Sequence, residues 1–448
     1  MKKTLLIVLA LWPVRGLFAQ TTAEKADALM NGYTQVHKFN GTVLVAKNGD
    51  VILEKGCGMK NFKEQSLNDV HTIYQVASIT KQFTAAVILK LVELHKLALT
   101  DKLDKYYPQY PNGGQISINN LLTHTAGIPD YTQDSVFMRT VVRRPEKSLS
   151  VAEALTLYNK TDFAPGTSWK YSNQGYWLLG DIIAKVTKTT WYAAVRKYIF
   201  SPLAMDHSGF DFKNLNNKDK ATGYYTYPEA GHSQEATIID SAESYSAGAI
   251  YSTVGDMYKW HRALQSYKIV NKALMAQAYT PFKNHYGFGW QIDSLFGKRV
   301  ISHSGDIWGF KTNIARITDD NVCIVLLNNI EDEEVRGGIT HDLLAILYNQ
   351  PYTIPVKRQE VPVDKATLSK YAGTYVTPRF ALEVTISENQ LWVQPAGQPK
   401  TRFYAQKEDY FFSKEIEAQL EFITDPNGKV DHLIVYMGGQ QMTGKKTK

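Results

Sequence analysis

The chain has 448 residues, 44% of them hydrophobic and 21% charged, with a formal net charge of +7. This is an ordinary globular composition on a chain too long for one average domain, so two domains are expected. The charge is modest for the length and no Lys/Arg run is dense enough for a nucleic-acid surface, so a nucleic-acid partner is excluded.

The chain opens with "MKKTLLIVLALWPVRGLFAQ", in which Lys2 and Lys3 precede an apolar run and small Ala19 follows it. That three-part pattern predicts a secretory signal peptide over 1–19, cleaved near Ala19. The run is too short to span a bilayer, so the expected product is an exported periplasmic or extracellular protein without a transmembrane anchor. Cys57 and Cys323 are the two cysteines, and both fall in strand-like apolar segments. They are read as buried free thiols, since two cysteines cannot make a disulfide framework.

"GTVLVAKNGDVILEKGCG" (41–58) predicts a hairpin, because two β-rich runs flank Asn48-Gly49. A helix is predicted from about Ser78 to Leu97, with Phe83, Val87, Leu91 and Leu94 at helical spacing. Short helices and loops follow to about 285; one is "SINNLLTHTAG" (117–127), with Ser117 as its N-cap and Gly127 as its stop. Strand character returns in "KRVISHSGD", "GFKTNIARIT" and "NVCIVLLNN" (298–329), before a helix at about 335–348. This order predicts an α+β domain over 20–350: an antiparallel sheet completed by both ends, flanked by helices, with an inserted all-helical subdomain. A proline-rich linker is predicted over 351–364 and a small all-β domain, barrel or sandwich, over 365–448. Its "GKKTK" tail is read as a frayed terminus.

Three short stretches carry chemistry. In "VASITKQFTA" (76–85), Ser78 and Lys81 stand three apart and share one helical face. A serine hydroxyl needs a neighbouring group to take its proton, and a lysine can do so where its neutral amine is favoured. Alone, S-x-x-K occurs by chance about once or twice in such a chain, and a surface lysine would satisfy it. In "WKYSNQGYWLLG" (169–180), Tyr171 can relay a proton and Asn173 offers a donor and an acceptor. The plainer reading is a turn before a helix, with Tyr171 packed and Asn173 capping. In "ISHSGDIWGF" (301–310), a strand carries His303, Ser304 and Gly305. Gly305 allows close approach, so that the next amide can face an oxyanion. His124, near a helix end, is read as structural and comfortable there when protonated or hydrogen-bonded.

Together, S-x-x-K, Y-x-N and H-x-G in this order resemble the serine penicillin-recognising hydrolases. They resemble especially the branch of class C β-lactamases, D,D-peptidases and family VIII esterases. "LLTHTAGIPDY" (121–131), "SAGAIYSTVGDMYKW" (246–260) and "YGFGWQI" (286–292) look similar too, so the likeness covers about 30 to 350. The last eighty residues resemble the accessory β domain often appended to such proteins. The resemblance implies Ser78 as nucleophile, Lys81 as its activating partner and Tyr171 as proton shuttle. It implies that Asn173, His303, Ser304 and Gly305 bind substrate, with the backbone N–H groups of Ser78 and Asp306 as oxyanion hole. His303 stands where many β-lactamases carry a lysine, which implies weaker, pH-dependent carboxylate recognition.

No H-E-x-x-H, paired C-x-x-C or P-loop is present, so neither a metal nor another cofactor is expected. G-x-S-x-G is absent as well, against an α/β-hydrolase nucleophile elbow. The expected function is an exported serine hydrolase that forms an acyl-enzyme with a small-molecule or peptide substrate. Candidates are a D-amino-acid peptide, which could derive from cell wall, an ester, or less readily a β-lactam. The alternative is a catalytically silent cell-wall or protein-binding domain on the same fold. Oligomeric state is not legible in the sequence.

Overall fold

A computed structural model of the chain describes residues 20–133, 160–228, 234–332, 335, 337–414, 416, 418–437 and 440–447. The leader expected over 1–19 lies outside the described residues. The chain divides into two compact units between Val356 and Lys357.

In the first unit, helix α1 (Thr22–Gln35) starts at a capping box between Thr21 and Glu24. Strands β1 (Gly41–Lys47) and β2 (Asp50–Cys57) form the expected hairpin, in which Asn48 and Gly49 both take positive φ. After helix α2 (Thr80–Glu93) come α3 (Ile118–Leu122), α4 (Asn173–Thr187), α5 (Ser241–Gly248) and α6 (Val254–Gln265). Strands β3 (Gln291–Leu295), β4 (Lys298–Ile307), β5 (Phe310–Ile317) and β6 (Val322–Asn328) follow, then helix α7 (Gly338–Leu347). The six strands make one sheet in the order β2-β1-β6-β5-β4-β3, and β1 pairs antiparallel with β6. Both ends of the unit therefore complete one sheet around a mainly helical middle.

Alternation along the strands sorts the core into two layers. Val43, Val45, Ile324 and Leu326 face α1 and α7, packing with Leu29, Met30, Ile339 and Leu343. Leu44, Ala46, Val325 and Leu327 face the helical body, where α2 and α6 contribute Val87, Ile88 and Trp260. Because both faces are covered, every residue of β6 is buried. The free thiols of Cys57 and Cys323 lie in these layers, and burial pushes the Cys323 thiol up to about 12.

Three boundaries differ from the sequence reading. Helix α2 begins at Thr80, after a short 3-10 turn over Ala77–Ile79, and ends at Glu93. Helix α3 stops at Leu122, well before Gly127, which instead lies against the Phe163 carbonyl so closely that a Cβ would meet it at 2.3 Å. The tail is not frayed: Gln440–Lys446 is a strand of the second unit.

That unit begins with helix α8 (Lys365–Tyr371), capped by Asp364. Eight strands follow: β7 (Gly373–Val376), β8 (Ala381–Ser387), β9 (Gln390–Pro395), β10 (Thr401–Ala405), β11 (Tyr410–Ser413), β12 (Ala418–Thr424), β13 (Val430–Met437) and β14 (Gln440–Lys446). They pair in sequence order into a closed barrel, which β14 closes on β7 through Tyr375↔Lys446. Closure removes the free strand edges that an open sheet would expose. Leu391, Leu420, Phe422 and Leu433 fill the interior with Leu368 and Tyr371 of α8.

Candidate active site

Helix α2 runs through the middle of the first unit, and all but one of its first twelve residues are buried, Lys81 included. At 0% exposure Lys81 cannot extend its ammonium to water, as a surface lysine would. Its Nζ instead has three neighbours: Ser78 Oγ at 3.0 Å, Asn173 Oδ1 at 2.7 Å and the Ala247 carbonyl at 2.8 Å. Burial lowers its pKa to about 7, against an opposing pull from the Asp130 carboxylate. Ser78 itself is only half-buried and lies in the 3-10 turn that leads into α2. The residue before it, Ala77, takes φ +49, a conformation a non-glycine residue adopts at a cost.

Ser172, not Asn173, caps α4, its hydroxyl accepting from the Gly175 N–H. The Asn173 side chain is thereby free for the site. Its Oδ1 accepts from Lys81, and its Nδ2 donates to the Asp130 carboxylate at 3.0 Å. A carboxylate can only accept, so Asp130 fixes which way the amide points. Asp130 was not singled out from sequence; its presence in the quoted "LLTHTAGIPDY" was the available signal.

Tyr171 lines the same cleft and packs against His124, the ring centroids 4.3 Å apart and the planes tilted by 38°. The Lys81 Nζ lies 4.9 Å from the Tyr171 ring centroid. His124 is buried and has φ +56; its Nδ1 accepts from the Ser172 N–H at 3.1 Å. Burial, then the charges of Lys81 and His303, push its pKa well below the ordinary histidine value. It is thus a neutral support beneath Tyr171, and not the protonated residue that a helix end would favour.

Strand β4 forms the opposite wall. Gly305 approaches the turn before Ser78 so closely that a Cβ would meet the Val76 carbonyl at 2.1 Å and Thr312 Oγ1 at 2.3 Å. Its smallness serves this backbone packing. The hairpin between β4 and β5 has two loop residues, with Ile307 opposite Phe310. In a two-residue hairpin that closing pair exchanges both hydrogen bonds, so at the next residue the Asp306 N–H turns away from β5, toward the side of β4 that β3 pairs only as far as Ser302. His303 is buried, and both ring nitrogens are engaged: Nδ1 with the Ser304 carbonyl at 2.7 Å, Nε2 with Tyr286 Oη at 2.8 Å. The carbonyl can only accept, so Nδ1 carries a proton. The Tyr286 hydroxyl can donate to Nε2 of a neutral ring or accept from a protonated one, so the two bonds hold the ring in either state. His303 is therefore held by two hydrogen bonds in the wall of the cleft.

These residues border a cleft of about 500 Å³, lined by Ser78, Tyr171, Asn173, His303, Ser304 and Asp306, with Trp169, Glu243, Tyr286 and Trp308. All the site residues named from sequence come together here, except that Lys81 lies behind the wall and Gly305 beneath it. Among the described residues, no group of three or more His, Cys, Asp or Glu could hold a metal ion.

A family model described as Beta-lactamase matches residues 26–348, and one described as a domain of unknown function (DUF3471) matches 357–446. Penicillin-binding protein 4* of Bacillus subtilis (strain 168) is 28% identical, over 96% of this chain and 100% of that protein. Among solved structures, the octameric penicillin-binding protein homologue from Pyrococcus abyssi matches with a TM-score of 0.65 and 25% identity, over 90% of this chain and 95% of that one. A D-stereospecific amidohydrolase from Streptomyces sp. shares the fold, with a TM-score of 0.60 and 23% identity over 70% of this chain and 95% of that one.

Proposed function

The chain belongs to the β-lactamase family of serine hydrolases, and on that premise we propose that it is exported and forms an acyl-enzyme at Ser78 with an amide or ester substrate. A D-amino-acid peptide, which could come from cell wall, or an ester ranks ahead of a β-lactam, since His303 supplies no fixed cation. Export rests on the three-part leader of residues 1–19; among the described residues, no helix is long and apolar enough to cross a membrane.

The observation that carries the reading is the set of neighbours around Lys81 Nζ. Two of them, Asn173 Oδ1 and the Ala247 carbonyl, can only accept hydrogen bonds. A neutral amine meets both with its two N–H bonds, which turns its lone pair toward the Ser78 hydroxyl 3.0 Å away. Proton transfer to Lys81 then lets Oγ attack the substrate carbonyl carbon. The oxygen that becomes anionic is met by the N–H groups of Ser78 and Asp306. Tyr171, across from Lys81, passes the proton to the leaving amine or alcohol, so the two act as one coupled pair. Water attacks the acyl-enzyme in the second half, delivering its proton along the same route. Asn173 holds Lys81 with Oδ1, while Ser304 and His303 line the substrate's path.

The test is the intact mass of the mature chain over time with benzylpenicillin, with Ser78→Ala as control. A lasting Ser78-dependent adduct is expected for a peptidase, and a transient one with loss of penicillin for a β-lactamase. Ser78-dependent cleavage of esters without a penicillin adduct points to an esterase. If Ser78 reacts with neither penicillin, esters nor D-amino-acid amides, the silent binding domain replaces this reading.

A further inference from the structure

The charged groups around the cleft are unevenly committed. Of its lining carboxylates, Asp130 holds the Asn173 amide, and Asp306 pairs with Lys311 at 2.7 Å. Glu243 differs: its backbone carbonyl accepts from Tyr131 Oη at 3.1 Å, but its carboxylate bonds no described side chain. The charge of Lys213 acts on it, but that ammonium is 3.6 Å from the Asp240 carboxylate. No Lys or Arg is found among the described lining residues. Independently, the walls carry five aromatic rings, of Tyr131, Trp169, Tyr171, Tyr286 and Trp308, whose faces attract cations and give a carboxylate nothing to bond.

We propose that Glu243 is a specificity residue that receives an ammonium group on the acyl side of the substrate, so that the cleft selects amine-bearing D-aminoacyl amides, peptides or esters over carboxylate-bearing ones. This deepens the reading above and rests on Ser78 being the acylated residue. Burial, then the charge of Asp240, raises the Glu243 pKa to about 7. An anion so placed gains from a bound cation, which holds it ionised. Glu243 stands four residues before Ala247, whose carbonyl holds Lys81, so one short segment carries both the subsite and a contact of the catalytic amine.

The experiment uses the p-nitrophenyl esters of D-phenylalanine, N-acetyl-D-phenylalanine and N-succinyl-D-phenylalanine at pH 7, where an α-amine is mostly protonated. These present a cation, a neutral group and an anion on the same acyl skeleton. Glu243→Gln is expected to lower kcat/KM for the free-amine ester on the order of tenfold. The N-acetyl ester should stay within about twofold of wild type, which also shows that the variant is folded and acylates. Glu243→Lys should shift preference toward the succinyl ester. The subsite is overturned if Glu243→Gln leaves the relative rates unchanged, or if the wild type favours the succinyl ester. If none of the three esters acylates Ser78 of the wild type, the subsite falls, and the hydrolase reading falls with it only when penicillin and D-amino-acid amides fail as well.

Discussion

Residues with positive φ serve opposite ends in the barrel and around the cleft. In the barrel, Glu388 and Asn389 form the two-residue link between β8 and β9, where Ser387 faces Gln390. Such a link requires positive φ at both positions to match the strand twist, and Gly428 supplies the one positive φ of the longer turn between β12 and β13. Around the cleft, Ala77, His124 and Tyr245 reach φ +49, +56 and +38 without making a hairpin. They stand just before the Ser78 hydroxyl, beneath Tyr171, and two residues before the Ala247 carbonyl. Turn chemistry accounts for the barrel's backbone, whereas surrounding packing overrides local preference at the cleft. The same division holds for buried polar groups. The barrel interior is apolar apart from groups such as the Tyr375 hydroxyl, which donates to the Tyr371 carbonyl, while the first unit encloses a lysine amine.

This contrast can be broken or sharpened by substitution. Ser78→Ala should lower turnover by about 10³-fold or more with unchanged circular dichroism; retained turnover would remove the cleft's claim to the chemistry. Asp130→Asn should lower kcat/KM by roughly 10- to 100-fold, because the Asn173 amide loses its fixed orientation. It carries a pH signature as well. The wild-type kcat/KM should rise with pH through about 7 as Lys81 sheds its proton, and Asp130 raises that pKa. Without the carboxylate the rising limb should move to lower pH, and a rate profile from pH 5 to 9 decides the point.

Ala77→Val places a β-branched side chain at positive φ. It should cost about 1–3 kcal/mol by denaturant titration and slow acylation together with it. Glu388→Asn is the matching change in the barrel and the smallest in effect. It should stabilise the protein by about 0.5 kcal/mol, because Asn tolerates positive φ better, with kcat/KM unaltered. If instead Ala77→Val were harmless and Glu388→Asn altered catalysis, the distinction between the two regions would be lost.

Much of the second unit's character was legible because its devices are local. Alternation and turn residues mark "YAGTYV", "ALEVTI", "LWVQPA", "LEFITD" and "HLIVYM" as β segments, although "TRFYA", "YFFS" and "QQMTGKK" are too short or too polar to stand out. In the first unit the hairpin at Asn48-Gly49 was legible for the same reason. Helix ends were less so: Leu122 ends α3 ahead of Gly127 because the chain turns at His124, a conformation imposed by packing against Tyr171 and Tyr176.

For the cleft, the sequence by itself named the candidate reacting groups. Ser78 and Lys81 lie within one helical turn, and Tyr171, Asn173 and the His303–Asp306 strand could be named from short patterns with a recognisable order. The tertiary structure alone decided what those groups are. Lys81 meets Asn173 across 92 positions and Ala247 across 166. No periodicity reports such contacts, nor the burial of α2 that lowers the Lys81 pKa to about 7. Asp130 as the clamp on Asn173, His303 as a hydrogen-bonded wall and Glu243 as a half-buried carboxyl of the cleft follow for the same reason. A side chain's charge, orientation and partners depend on what folding places around it, and residues near in sequence supply only a small part of that surrounding.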